Sequence, residues 1–194
     1  MLKIGITGSM GSGKSTVAFF FHTLGVHIYN SDVRAKELMT DDENLKQKIK
    51  NSFGDDTYTS TGTLDRSRLA KIVFNDKEKI SLLNSLVHPA VQKDFDEWCK
   101  KFSQEKYILK EAALLVESGS YKTLDKLICV TAPEEIRIAR CIKRDGISRE
   151  EIIARMKNQL SENEKIIFAD YIISNDESEL LIPQLLKLHE EFLN

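Results

Sequence analysis

The chain has 194 residues, 41% of them hydrophobic, which suffices for one well-buried α/β core carrying a helical insertion. Its 28 lysines and arginines against 30 aspartates and glutamates leave a formal net charge of -2. That balance argues against a nucleic-acid track and leaves room for a small anionic substrate held by a local basic cluster. Cys99, Cys129 and Cys141 are widely spaced and form no C-x-x-C pair, a usage that fits reduced thiols in a cytoplasmic protein. The apolar start is too short for a signal segment, and no stretch approaches the ~20 apolar residues of a membrane helix, so no membrane partner is expected.

Residues 2–7 read as a buried strand, followed by a glycine-rich turn and a helix over 14–24 in which Val17, Phe20, Phe21 and Leu24 recur at helical spacing. Residues 26–29, 107–115, 127–131 and 171–174 supply four further apolar or β-branched strands separated by helical segments, the alternation of a mostly parallel sheet. Helical periodicity over 45–53, 69–74, 80–86 and 91–102 marks 32–106 as an insertion, with a Gly, Asp, Thr and Ser-rich loop at 54–62. In that insertion His88 precedes Pro89, a pair suited to locking the start of a helix over 90–102. Pro133 suits the first turn of a helix reaching Arg144, and Ser148 with Glu151 forms a capping box for the next helix. Residues 177–193 form a last helix with Leu181, Leu185, Leu188 and Phe192 on one face. The expected organisation is a core of 1–31, 107–132 and 165–194, the insertion 32–106, and a helical lid region 133–164.

Gly8-Ser9-Met10-Gly11-Ser12-Gly13-Lys14-Ser15 satisfies G-x-x-x-x-G-K-[ST] between the first strand and the first helix, the context a P-loop requires. Backbone N–H groups of Gly11, Ser12, Gly13 and Thr16 can close around phosphates at a helix N-terminus. Lys14 reaches the terminal phosphates, and the Ser15 hydroxyl is the candidate Mg²⁺ ligand. A purely structural turn has little reason to use so many glycines, since each weakens regular backbone by about 1 kcal/mol.

No N-K-x-D or D-x-x-G pattern occurs, so guanine specificity is unsupported. Asp32 lies just beyond the second strand, near the carboxyl edge where ligands of open α/β folds gather. There a carboxylate can take the proton of an acceptor hydroxyl attacking a γ-phosphate, or simply serve as an N-cap. Arg137, Arg140, Arg144 and Arg155 fall on the two helices flanking Asp145-Gly146, where a closing lid brings guanidinium groups onto phosphate, although such a run is also a common solvated face. His22, His27, His88 and His189 have no metal-ligand spacing, so Mg²⁺ with ATP is expected and structural zinc is not.

Taken in order, these residues resemble the dephospho-CoA kinase family. The similarity runs from Ile4 to about Asn175, through Gly5 to Ala18, Asp32 with Ala35 and Lys36, Phe53-Gly54 and Leu64-Asp65-Arg66. It continues through Leu69 with Ile72-Val73-Phe74, Leu86 with His88-Pro89, Leu114-Leu115 with Glu117, and Arg140 with Arg144. Arg155 with Gln159, Ala169-Asp170 and Asn175 close it. The resemblance implies a three-layer P-loop fold and transfer of phosphate from ATP to the ribose 3′-hydroxyl of 3′-dephospho-CoA. It also implies Asp32 as base and Arg140 near the phosphates.

The chain departs from the commoner family form at Asn30, where an aspartate often stands, at Ala113, in place of a proline, and at Arg137, in place of a glutamine. The expected catalytic set is Asp32, Lys14 and Arg140, in a monomer or weak homo-oligomer. The competing readings are a nucleoside monophosphate or shikimate-type P-loop kinase, against which the insertion speaks, and a non-catalytic ATP-dependent switch, which needs neither Asp32 nor the arginines.

Overall fold

The computed structural model describes residues 1–73 and 76–194; Phe74, part of the expected helix over 69–74, lies outside the described residues. The chain divides into two compact units, one of Met1–Asn30 with Phe102–Asn194 and one of Ser31–Lys101.

The first unit is built on a five-stranded sheet of order β2-β3-β1-β4-β5, from β1 (Leu2–Thr7), β2 (Ile28–Asn30), β3 (Tyr107–Glu111), β4 (Lys126–Thr131) and β5 (Tyr171–Ser174). Every pairing is parallel, and the order places β1 at the centre between β3 and β4, where an all-parallel sheet is buried on both faces. This explains the continuous apolar character of β1. On one face, α1 (Lys14–Thr23) presents Val17, Ala18 and Phe21, and α9 (Leu181–Leu193) presents Leu185, Leu188 and Phe192. These pack with Ile4, Ile6, Leu109, Ile128 and Val130 into one core. Each such side chain contributes about 1.5–3 kcal/mol by leaving water.

Two boundaries beside the site differ from the sequence expectation. The third strand stops at Glu111 rather than running to 115, because Leu114 to Gly119 close into helical turns through Ser118 N–H to the Leu114 carbonyl and Gly119 N–H to the Val116 carbonyl. The last helix begins at Leu181, not 177, since Glu177 adopts a left-handed φ of 70° that no helix accommodates. Around α6 (Glu134–Asp145), α7 (Arg149–Met156) and α8 (Glu162–Ile166), Pro133 sits at the N-cap of α6 and Ser148 caps α7 through Glu151 N–H. The reciprocal capping box belongs to Ser161 and Glu164 at α8.

The second unit is helical: α2 (Ser31–Asp41), α3 (Glu43–Phe53), α4 (Arg66–Val73) and α5 (Lys77–Lys101). Asp42 caps α3 by accepting from Leu45 N–H at 3.0 Å, and Arg34 on α2 clasps Asp94 on α5 with bonds of 2.7 and 3.0 Å. The loop over 54–62 holds a single 3₁₀ turn and a Tyr58–Leu64 bridge. Pro89 lies inside α5 instead of starting a helix, so the locking role expected for His88-Pro89 does not apply.

The first unit also buries an ionic staple. Lys165 on α8 is 0% exposed, and its Nζ donates to the Ala113 carbonyl at 2.8 Å and meets Glu117 Oε1 at 2.9 Å. Glu117 Oε1 accepts from Leu160 N–H as well, which makes Glu117 a structural residue that anchors the turn after β3 to α8. Removing one partner of such a pair strands a buried charge. Lys165→Ala is therefore expected to lower the unfolding free energy in urea by about 3–5 kcal/mol, and Lys165→Met with Glu117→Leu to recover most of that loss.

Candidate active site

The loop between β1 and α1 meets the helix N-terminus at Gly13, the N-cap of α1, whose side-chain cap is missing and whose first turn has no acidic residue. The leading N–H groups of α1 are thus left for an anion, and the helix dipole adds positive potential at the same place. Gly11, Gly13, Lys14, Ser15 and Thr16 line a cavity of about 320 Å³, closed on the other side by Arg140 and Arg144 of α6. Cys141 forms part of its wall; burial pushes that thiol's pKa up, so it presents a neutral group.

Behind Lys14 and Ser15 stands Glu111, the last residue of β3, which is 4% exposed. Its Oε1 accepts from Ser15 Oγ at 2.5 Å and lies 3.8 Å from Lys14 Nζ, and its Oε2 accepts from Asn30 Nδ2 at 2.8 Å. A buried carboxylate persists only with such partners. Asn30, the departure at the end of β2, orients this carboxylate. Sequence reasoning missed Glu111; the available signal was a charged Lys110-Glu111 pair ending an otherwise apolar central strand.

The glycines have a second cause besides the ligand. A Cβ on Gly11 would lie 2.4 Å from the Arg137 carbonyl oxygen, and one on Gly13 would lie 2.2 Å from Asn175 Nδ2. At φ of 82° and 95° both positions also lie in the left-handed region. Protein neighbours therefore require these two glycines as well as any ligand does. Asn175 further donates from Nδ2 to the Ser12 carbonyl at 2.8 Å, so the segment after β5 braces the loop.

Of the arginines, Arg140 reaches the cavity with Nη2 donating to the Asn175 carbonyl and to Glu177 Oε1, each at 3.0 Å, while its buried Nη1 has no partner among the described residues. Arg144 pairs with Asp145 at 2.7 and 2.8 Å. Arg137 is not a solvated charge: it is 8% exposed and donates from Nε to the Ala132 carbonyl at 2.8 Å. Arg155 and Lys36 are exposed. Asp32, in the second unit, is exposed in the first turn of α2, where Ser31 is already helical, so the N-cap reading for it does not apply.

A parallel sheet of this order, with a phosphate loop after its central strand and a carboxylate beside the loop's serine, defines a P-loop phosphotransferase. The dephospho-CoA kinase profile matches residues 2–180. The dephospho-CoA kinase of Aquifex aeolicus is 39% identical over 98% of this chain and 97% of its own, and that of Bacteroides fragilis 36% identical over 96% and 91%. Among solved structures, a Thermus thermophilus protein superposes with a TM-score of 0.81 at 34% identity, covering 99% of this chain and 96% of its own. The dephospho-CoA kinase of Campylobacter jejuni gives 0.72 at 29%, covering 97% and 96%. A shikimate kinase from Bacteroides thetaiotaomicron, at 0.53 and 16% over 98% and 97%, shares the fold alone. This chain belongs to the dephospho-CoA kinase family.

Among the described residues, Glu177 alone combines a side chain with a positive φ. A left-handed conformation costs a non-glycine residue about 1–2 kcal/mol, partly offset by the greater freedom glycine gives the unfolded chain. Glu177→Gly is expected to raise the unfolding free energy by about 0.5–1 kcal/mol, read as an increase in thermal midpoint; a lower midpoint would show that the Arg140 ion pair outweighs the backbone strain.

Proposed function

We infer that this protein transfers the γ-phosphoryl group of ATP to the ribose 3′-hydroxyl of 3′-dephospho-CoA, giving CoA and ADP, the final step of coenzyme A biosynthesis. Family membership along nearly the whole chain, joined to an intact phosphate loop, carries this reading. ATP is the co-substrate of the family.

In this reading Gly11 to Thr16 hold the ATP phosphates through backbone N–H groups and Lys14 neutralises their terminal oxygens. Arg140 brings positive charge to the transferring group; its buried Nη1, without a partner among the described residues, is a donor available to an anion. Asp32, two residues beyond Asn30, accepts the proton of the attacking 3′-hydroxyl. The Ser15–Glu111 pair fits Mg²⁺, since it offers hard oxygen donors and Mg²⁺ commonly takes only one or two protein ligands beside substrate phosphates. Bound there, the ion would neutralise charge on the β- and γ-phosphates. The helical unit Ser31–Lys101 receives dephospho-CoA, and the 133–164 segment acts as the lid that excludes water.

Among the described residues, no helix is long and apolar enough to cross a membrane. We place the enzyme in the cytoplasm, acting without nucleic acid or membrane as a monomer or weak homo-oligomer. Incubation with Mg-ATP and a panel of dephospho-CoA, shikimate and nucleoside monophosphates is expected to yield, by mass spectrometry, selective conversion of dephospho-CoA to CoA. Phosphorylation of a different acceptor would overturn the substrate assignment, and no product at all would favour an ATP switch. Asp32→Asn is expected to lower kcat at least about 100-fold while leaving ATP affinity unchanged; near-normal turnover would remove Asp32 from the mechanism.

A further inference from the structure

Gln159, singled out by the sequence together with Arg155, has no place in the chemistry above. It lies just beyond α7, and its Oε1 accepts a hydrogen bond from the Met10 N–H, at the crown of the phosphate loop, at 3.1 Å. The Met10 side chain packs against the Ile138, Cys141 and Ile152 cluster that joins α6 to α7. Gly11, the next residue, lies flush against the Arg137 carbonyl of α6. Two consecutive loop residues are thus gripped by three features of the 133–164 segment, and one of the three is a replaceable side-chain acceptor.

We propose that Gln159 is a positioning residue for the phosphate loop: by accepting from Met10 N–H it fixes the loop crown in the conformation that receives the ATP phosphates and ties that conformation to α6 and α7. The inference rests on reading Gly8 to Ser15 as the ATP cradle. A loop N–H outside regular structure needs a partner, and without Gln159 the crown loses the one polar tether this side chain gives it. Packing of Met10 and the close approach at Gly11 keep the loop folded, so the effect falls on preorganisation and not on overall stability.

The test is titration of Mg-ATP, without acceptor, into the full-length wild type and Gln159→Met, which keeps the side chain's length and removes the acceptor. Amide exchange at Met10 is followed by NMR. Wild type is expected to bind ATP. Gln159→Met is expected to bind about five- to tenfold more weakly with faster Met10 exchange, while its unfolding midpoint and its KM for dephospho-CoA stay unchanged. Gln159→Glu, which retains an acceptor oxygen, is expected to keep Met10 protected. Equal ATP affinity in wild type and Gln159→Met would overturn the inference, as would weaker binding accompanied by a lowered midpoint and an equal rise in the acceptor's KM. A wild type that binds no ATP would instead overturn the cradle reading itself.

Discussion

A carboxylate buried at the edge of a parallel sheet constrains everything around it. Glu111 cannot be left without partners where it stands, and its neighbours supply them from two chain segments: Ser15 and Lys14 from the start of α1, and Asn30 from the end of β2. The carboxyl ends of β2 and β3 and the N-terminus of α1 are thereby drawn to one point. That point is also where a phosphate would be cradled, so in the proposed function one residue would meet both the structural need of the carboxylate and the need for an oxygen ligand beside Ser15.

The loop that meets Glu111 is braced on its other side by segments distant in sequence. Arg137 and Gln159 hold its crown, Asn175 holds Ser12, and Arg140 ties the segment after β5 to α6. Such bracing is what preorganised catalysis requires, since donors already in place spend no binding energy on reorganisation. It also accounts for the glycines: Gly11 and Gly13 leave room for protein neighbours as well as for phosphate. Behind this front, the Lys165–Glu117 staple fixes the turn that follows β3, so the strand end carrying Glu111 is held on its C-terminal side as well.

The fold was legible because its signals are local. Apolar strands alternating with helical faces such as Val17 and Phe21, or Leu185, Leu188 and Phe192, give the parallel sheet and its covering helices, and the Gly8 to Ser15 spacing gives the phosphate loop. What the sequence hid was long-range. Glu111 reads as the polar end of a strand until its pairing with Ser15 and Asn30 is seen. Arg137 reads like Arg140 and Arg144, three and seven residues on, yet its guanidinium turns inward to the Ala132 carbonyl. Pro89 reads as a helix start, but the surrounding apolar positions Val87, Val91 and Phe95 carry α5 through it. For Asp32 the sequence pattern left base and N-cap open and the resemblance favoured the base; the structure removes the N-cap alternative by making Ser31 already helical.

The proposed role of the Glu111 carboxylate in organising a Mg²⁺–phosphate site is most directly tested by the Mg²⁺ dependence of phosphoryl transfer at saturating ATP in the wild type and in Glu111→Gln. The amide retains the residue's size and an acceptor for Ser15 but removes the charge. The account predicts a half-saturating Mg²⁺ concentration raised at least about tenfold in the variant; an unchanged Mg²⁺ requirement would contradict it.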